Sequence, residues 1–381
     1  MTLSASGHPS LEELVFRRAL ELAALGPEGE NPRVGCVLLD ADGSAVGEGW
    51  HRGPGTPHAE VDALAAAGGQ ARGGTAVVTL EPCSHTGRTG PCTKALLDAG
   101  VARVVYGCAD PNPEAAGGAA VLIAAGLPAS LAQNADSRTE AEELIRPWAT
   151  AYRHRRPLVT WKWAATLDGR TAAADGSSRW VTGKSARRDV HRLRAAHDTV
   201  LVGTGTLLAD DPALTVRDAP LAGPPPRPAV MGLRPVPPSA RLLNGPVSAV
   251  HLKTRDPHRA LADLWHAGAR RVLLEGGAHL AGAFVREGLV DDVVAYLAPL
   301  LLGAGLPAVA DLGISSLSEA VRLDLHDICV LGGDVRLTYR TRPATPPPPS
   351  PPPPPSPPSA ATPPGHDGEA ATDNVRPQME Q

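Results

Sequence analysis

The sequence contains no apolar run long enough to cross a membrane, although 43% of its 381 residues are hydrophobic. It also lacks an excess of one charge sign, because 36 lysines and arginines are balanced by 40 aspartates and glutamates, for a net charge of −4. A protein that lives on nucleic acid needs a much denser positive field. We therefore expect neither a membrane nor a nucleic acid as a partner.

Cysteine is scarce: the chain has five cysteines, an odd number that is not typical of a disulfide framework. Residues 1–9 have no basic region followed by an apolar core, so we expect no secretory signal and a cytoplasmic protein. The cysteines should then be metal ligands or core residues. We assign Cys36, Cys108 and Cys329 to the core, because each lies in an apolar predicted strand.

Proline is unevenly distributed: 13 of the 40 prolines fall between residues 346 and 364. Such a run favours extended polyproline and cannot bury a core, which predicts a disordered tail over residues 343–381. The remaining length predicts two domains. A basic run at 153–156 followed by Pro157 marks their boundary, giving domains at 10–150 and 157–342.

Both halves alternate short apolar strands with amphipathic helices, which predicts α/β folds, three-layered in the first half. The first half is predicted to contain a helix after Ser10, strands at 34–39, 75–80 and 102–106 with a turn at Asp42-Gly43, helices at 60–67 and 93–99, and a helix over 138–152 that is broken at Pro147. The second half is predicted to contain strands at 158–162, 199–202, 271–274 and 293–297, helices at 185–195 and 279–287, and an irregular loop over 219–238.

The strongest chemical pattern is His58-Ala-Glu60 followed by Cys83 and Cys92. One imidazole and two thiolates can occupy three corners of a tetrahedral zinc site and leave the fourth to water, whose pKa zinc lowers toward neutrality. Glu60 can take the proton of that water and pass it to a departing amine. This is the zinc deaminase pattern, except that eight residues instead of two separate the cysteines. A structural zinc site with His85 as fourth ligand is an alternative, as are two buried cysteines beside an unrelated histidine.

The second half lacks the Gly-x-Gly-x-x-Gly of a Rossmann dinucleotide site after any predicted strand. A better candidate for binding phosphate is Glu275-Gly-Gly-Ala278, which lies between a strand and a helix, where backbone N–H groups and the helix dipole attract anions.

These motifs resemble those of the bifunctional riboflavin-biosynthesis family, in which a pyrimidine deaminase is fused to a dihydrofolate-reductase-like pyrimidine reductase. The resemblance covers about residues 11–340, and the long spacer between the cysteines belongs to it. The matching segments in the first half are 31–35, 57–60, 81–92 and 110–113. Those in the second half are 166–170, 178–180, 186–190, 205–212, 214–217 and 275–277.

The resemblance implies a cytidine-deaminase-like α/β/α domain followed by a dihydrofolate-reductase-like α/β domain. It implies zinc-dependent hydrolysis of 2,5-diamino-6-(5-phosphoribosylamino)pyrimidin-4-one to 5-amino-6-(5-phosphoribosylamino)uracil, and then reduction of the ribosyl group to ribityl. The implied cofactors are one zinc ion in the deaminase domain and NADPH. The implied partners are small phosphorylated pyrimidines, and a homo-oligomer is compatible with the sequence.

The resemblance also implies roles for individual residues. The metal ligands would be His58, Cys83 and Cys92, and the catalytic residues Glu60 and Asp210, with Lys162 also considered. Substrate contacts would come from Asn31, Ser178, Arg194, Leu214, Arg217 and Glu275, and from the loop 84–88. Cofactor contacts would come from Ala164, Trp180, Thr206, Asp210, Gly277, Ala278, His279, Leu280, Ala281, Gly282 and Ala283. Without the resemblance, Trp180 and Leu214 would be assigned to the core and the two arginines to the surface.

Two segments depart from the family pattern. Residues 115–119 lack a basic group that would contact substrate phosphate, and Gly232-Leu233 replaces an Asp-Ser pair near the cofactor. Two other functions are considered: a nucleoside or base deaminase with a non-reducing accessory domain, and a chain in which one domain has become a regulatory module. The reductase motifs argue against the first, and the retained site residues argue against the second.

Overall fold

Two β-sheets, one in each half of the chain, organise the part of the protein that the computed structural model describes: residues 9–27, 29, 31–85, 90–221 and 223–342. These described residues belong to one compact unit. The predicted tail, 343–381, lies outside the described residues. Among the described helices, none combines the length and the apolar character that a membrane span requires.

The first sheet has the strand order β2-β1-β3-β4-β5, with β1 antiparallel to β2 and β3, and β3, β4 and β5 parallel. Helices α1 and α5 pack together, and α2, α3 and α4 form a second group. The elements are α1 Leu11–Leu25, β1 Gly35–Leu39, β2 Ala45–Trp50, α2 Ala59–Ala67, β3 Thr75–Val78, α3 Cys92–Ala99, β4 Arg103–Tyr106, α4 Gly118–Ala124, β5 Ala129–Leu131 and α5 Ala135–His154.

Local signals explain the start of this domain. Ser10 and Glu13 form a reciprocal capping box at the N-terminus of α1. Strand β1 is buried along its whole length, as its continuous apolar run predicted. The turn into β2 contains Gly43 at a φ of +87°, where glycine is favoured, and the Asp40 carboxylate accepts hydrogen bonds from two turn N–H groups. The predicted helix, strand and hairpin are confirmed here.

The predicted break at Pro147 is wrong, because α5 runs without interruption from Ala135 to His154. Asn134 caps it by accepting a hydrogen bond from the Ser137 N–H. A proline inside a helix costs about 3 kcal/mol. Burial of one apolar face of α5, including Ile145 and Trp148, offsets that cost.

The second sheet has the order β10-β9-β8-β11-β6-β12-β15-β14, in which the strands from β10 to β12 are parallel and the last two antiparallel. A separate pair is formed by β13 and β7. The elements are β6 Leu158–Thr166, β7 Arg170–Ala172, α6 Lys184–Ala195, β8 Thr199–Gly203, α7 Thr204–Asp210, β9 Arg227–Met231, β10 Val250–Leu252, α8 Pro257–His266, β11 Arg271–Leu274, α9 Ala278–Arg286, β12 Asp292–Ala298, β13 Leu306–Pro307, β14 Leu323–Leu331 and β15 Asp334–Thr341.

Two predictions fail in this half. The expected irregular loop over 219–238 contains β9, a buried parallel strand whose short apolar run is hidden among prolines and itself includes Pro228. Cys329 is half-buried and not a core residue, because its strand, β14, lies at the exposed edge of the sheet. Cys36 and Cys108 are buried, as predicted.

Glycines on β2 allow α2 to lie directly on the sheet. A Cβ atom at Gly49 would lie 2.4 Å from the Ala59 carbonyl oxygen, and one at Gly47 would lie 2.4 Å from the Ala63 carbonyl oxygen. Gly35, on the neighbouring strand β1, faces α1 in the same way, since a Cβ atom there would lie 2.0 Å from the Ala19 carbonyl oxygen. The two helices therefore pack closely on opposite faces of β1 and β2, and the N-terminus of α2 has a fixed height above the sheet.

We expect Gly49→Ala to destabilise the protein by about 1–3 kcal/mol, because the added methyl group must push α2 off the sheet. Gly69→Ala is the matched control, since a Cβ atom there meets nothing within 4 Å. Thermal unfolding of both variants measures the effect. Equal midpoints for the two variants would contradict the close packing of α2.

Candidate active sites

Three ligand-type side chains converge where α2 and α3 begin. His58 is the N-cap residue of α2, Cys92 is the first residue of α3, and Cys83 lies in the loop after β3. The His58 Nδ1 atom lies 3.2 Å from Cys92 Sγ and 3.5 Å from Cys83 Sγ. The ligand atoms of all three residues lie within 4.8 Å of one another. The structure thus brings together the three residues predicted to bind a metal.

The start of α3 also supports the Cys83 sulfur. The Cys92 N–H lies 3.5 Å from Cys83 Sγ, and the Thr93 N–H donates to the Cys83 carbonyl oxygen over 3.2 Å. Hydrogen bonds from Cys92 and then from His58 lower the pKa of the Cys83 thiol well below its usual value. A lowered thiol pKa favours the thiolate, which is the form that binds metals.

Glu60 lies in the first turn of α2, only 4% exposed. Burial raises the pKa of its carboxyl group to about 7. A carboxyl group with such a pKa can both accept and return a proton near neutral pH.

The donor set fits zinc with one position left open. One imidazole and two thiolates are typical zinc ligands, and a catalytic site keeps its fourth position for water or substrate. His85, the alternative fourth ligand, lines the same cavity but does not belong to the group of ligand atoms that lie within 4.8 Å among the described residues. The geometry favours a catalytic centre over a closed structural one.

A cavity of about 390 Å³, lined by His58 and Cys83 of the three ligands, opens here, a size suited to a small molecule. Asn31 lines it, as predicted for a substrate-binding residue, and donates its amide to His51 Nε2 over 2.8 Å. The opposite ring nitrogen of His51 donates to the Pro57 carbonyl oxygen over 3.1 Å. His51 belongs to none of the sequence motifs, and it packs edge-on against His58 with 5.7 Å between ring centroids.

Loops after β3 and β4 form another part of the cavity wall. The buried Glu81 carboxylate accepts hydrogen bonds from the Asp110 and Ala119 N–H groups and so ties these loops together. Burial raises the pKa of Asp110, which also lines the cavity, to about 6. In the predicted substrate loop 84–88, residues 86–88 lie outside the described residues. Gly118, in the segment that lacks the expected basic group, has no room for a side chain, because a Cβ atom would lie 1.7 Å from the Pro82 carbonyl oxygen.

In the second half, Glu275 follows β11 and forms the centre of a charged cluster. Its carboxylate accepts two hydrogen bonds from Arg194, of 2.6 and 2.9 Å, and lies 3.7 Å from Lys162 Nζ. Burial alone would raise the pKa of Glu275, but the charges of Arg194 and Lys162 outweigh it and lower the pKa to about 2. A third Arg194 N–H donates to the Thr215 carbonyl oxygen over 3.0 Å, so Glu275 and Thr215 together fix the orientation of the guanidinium.

The predicted cofactor segment forms the beginning of a helix. Gly277 is the N-cap residue of α9, so residues 277–283 present the N-terminal turns of this helix after strand β11. The Gly277 N–H donates to Thr206 Oγ1 over 3.2 Å, which joins two predicted cofactor residues. Ala164 lies further away in sequence, in strand β6 beside β11.

The other residues predicted to form the reductase site make no such contacts with the Glu275 cluster or the start of α9 among the described residues. Trp180 is 69% exposed beneath the Arg187 guanidinium, whereas Leu214 is buried in a core cluster. Asp210 is exposed at the end of α7, and Arg217 is exposed as well. Ser178 is half-buried. Within the described part of the chain, no hydrogen bond or ion pair joins the Asp210 carboxylate to the cluster around Glu275.

Comparisons with known proteins agree with this division of the chain. Residues 9–108 match the family model described as the cytidine and deoxycytidylate deaminase zinc-binding region. Residues 157–337 match the model of the RibD C-terminal domain. The first match contains four of the five strands of the first sheet, and the second match contains the second sheet except for the end of β15.

Relatives cover nearly the whole described chain. The riboflavin biosynthesis protein RibD of Mycobacterium tuberculosis is 46% identical, over 82% of this chain and 91% of that protein. RibD of Escherichia coli is 39% identical, over 86% and 98%. A solved structure of Acinetobacter baumannii RibD is 36% identical, with a TM-score of 0.78 over 87% of this chain and 99% of that one. A deaminase/reductase structure from Thermotoga maritima is 30% identical, with a TM-score of 0.77 over the same shares.

We expect Cys83→Ser and His58→Ala to lose stoichiometric zinc, because each removes one of three protein ligands. His85→Ala is the matched control: it lines the same cavity but lies outside the ligand group, so its zinc content should equal that of the unchanged protein. Metal analysis of the purified proteins measures this. Loss of zinc from His85→Ala would instead indicate a closed site with four protein ligands.

Proposed function

The chain belongs to the RibD family of bifunctional riboflavin-biosynthesis enzymes, with a deaminase domain followed by a reductase domain, and from this premise we propose how its residues divide the two reactions. The deaminase, over residues 10–150, converts 2,5-diamino-6-(5-phosphoribosylamino)pyrimidin-4-one to 5-amino-6-(5-phosphoribosylamino)uracil. The reductase, over 157–342, reduces the ribosyl group of this product to ribityl. The similar Thermotoga maritima protein is described by these two activities.

One observation supports the deaminase assignment above all others: the ligand atoms of His58, Cys83 and Cys92 lie together beside the buried carboxyl group of Glu60. Zinc bound by these three residues would act as a Lewis acid that makes water nucleophilic at neutral pH. Glu60 takes the proton of the attacking water and delivers it to the departing ring amine, which leaves as ammonia. Glu60 thereby returns to its initial protonation state.

Asn31 and His51 orient the pyrimidine in this cavity. The hydrogen bond between them leaves one further N–H of the Asn31 amide for a ring acceptor. His51 is held as a neutral ring by its two partners, and burial lowers its pKa. The pair provides a fixed polar edge beside the ligand cluster.

The second reaction needs a hydride and one proton for the ring-opened ribosyl group. NADPH would supply the hydride, with its pyrophosphate at residues 277–283, because the N-terminus of a helix attracts anions. Glu275 orients the substrate, because its carboxylate is fixed by Arg194 and Lys162. Asp210 provides that proton. The RibD C-terminal match over 157–337 disfavours a deaminase with a non-reducing accessory domain.

We expect Glu60→Gln to reduce ammonia release by about 10²–10⁴-fold, because the amide cannot move the proton. Zinc should remain bound, since Glu60 is not among the three ligands. Oxidation of NADPH on the uracil intermediate serves as the internal control and should be unchanged. Deamination at the original rate would remove Glu60 from the mechanism.

For the reductase, Asp210→Asn should lower the rate of NADPH oxidation by about 10²–10⁴-fold if its carboxyl group donates the proton. Asp211→Asn is the matched control. Asp211 caps α7 at a φ of +41° and accepts a hydrogen bond from the Arg241 N–H, and asparagine preserves both features. The absorbance of NADPH follows both variants, and equal rates for the two would exclude Asp210 as the acid.

A further inference from the structure

The deaminase cavity is not built by the first half of the chain alone. Most of its lining comes from residues 31–115, but Trp148 and Tyr152 of α5 also line it, and so does Arg270. Arg270 lies immediately before strand β11, in the sheet of the second half. Among the described lining residues, it is the single lysine or arginine.

The second sheet fixes the backbone of Arg270 from both sides. Its N–H donates to the Asp198 carboxylate over 2.7 Å, and the N–H of the next residue donates to the same oxygen over 2.8 Å. Its carbonyl oxygen accepts a hydrogen bond from the Leu158 N–H over 2.8 Å. The position of the side chain therefore follows the framework of the second domain.

An aromatic ladder directs the guanidinium toward the cavity. Trp148 contacts Tyr152 with 4.9 Å between ring centroids, and Tyr152 meets Trp265 edge-on at 5.8 Å. The Arg270 guanidinium lies 3.7 Å from the centroid of Trp265, close enough for a cation–π contact. The ladder thus connects α5 with α8 and places the charge at the cavity wall.

Some N–H groups of the guanidinium have no protein partner among the described residues. Its Nη1 atom donates to the carbonyl oxygens of Trp265 and Ala269, over 3.2 and 2.9 Å. Its Nη2 atom makes no hydrogen bond to a described residue, and the buried Nε atom makes none either. A planar guanidinium with open donors matches the oxygens of a phosphate group.

We propose that Arg270 binds the phosphomonoester group of the pyrimidine ribotide during deamination, so that a residue of the reductase domain determines the specificity of the deaminase site. This proposal rests on the proposed deaminase function. Residue 118, where the family resemblance led us to expect a basic group, is a glycine without room for a side chain. Arg270 supplies a positive charge to the same cavity from a different part of the chain.

The test compares ammonia release from the phosphorylated diaminopyrimidine and from its dephosphorylated riboside. We expect Arg270→Gln to raise the KM for the phosphorylated substrate by about 10- to 100-fold with little change in kcat, because one charge-assisted contact is lost. The KM for the riboside should not change. Arg270→Lys, which keeps the charge above Trp265, should lose less.

Arg103→Gln is the matched control. Arg103, on β4, forms an exposed ion pair with Glu12 of α1 and does not line the cavity. Oxidation of NADPH on the uracil intermediate checks that each variant is folded. An unchanged KM in Arg270→Gln, or an equal loss on both substrates, would overturn the proposal. Failure of the unchanged protein to release ammonia from either substrate would refute the proposed function itself and is a distinct result.

Discussion

The deaminase half depends on two helices that begin at the same place. Helix α2 begins immediately after His58 and α3 begins at Cys92, so the ligand atoms of both residues lie in one small volume with that of Cys83. This arrangement depends in turn on close packing, since Gly49 lets α2 approach the sheet at van der Waals distance. A buried carboxyl group, two sulfurs and an imidazole are costly to assemble in an apolar core. A cation held by these ligands would compensate for that cost by neutralising the thiolates.

Most residues of the two candidate sites could be predicted from the sequence, because the signals that indicate them are local. His58 and Glu60 are separated by one residue, and the N-terminus of a single helix brings both side chains to its first turn. The ligand pair Cys83 and Cys92 flanks a single loop. In the second half, Glu275 and Gly277 lie at one strand-to-helix junction, so one motif indicates both the charged cluster and the start of α9.

The features that were missed depend on contacts distant in sequence. Neither His51 nor Arg270 belongs to a recognisable motif, and only the tertiary fold brings them to the cavity. The helix through Pro147 persists because packing against the domain core outweighs a local penalty that sequence reasoning overvalued. Strand β9 was hidden by flanking prolines, although its place between two parallel strands buries it. In each case a long-range interaction overrides a local preference.

X-ray absorption at the zinc edge of the purified full-length protein measures the coordination of the metal directly. We predict two sulfur neighbours at about 2.3 Å and one imidazole nitrogen at about 2.0–2.1 Å, with a light atom from solvent in the remaining position. A second imidazole in place of the solvent atom, or fewer than two sulfurs, would contradict the open three-ligand site from which the deaminase mechanism was derived.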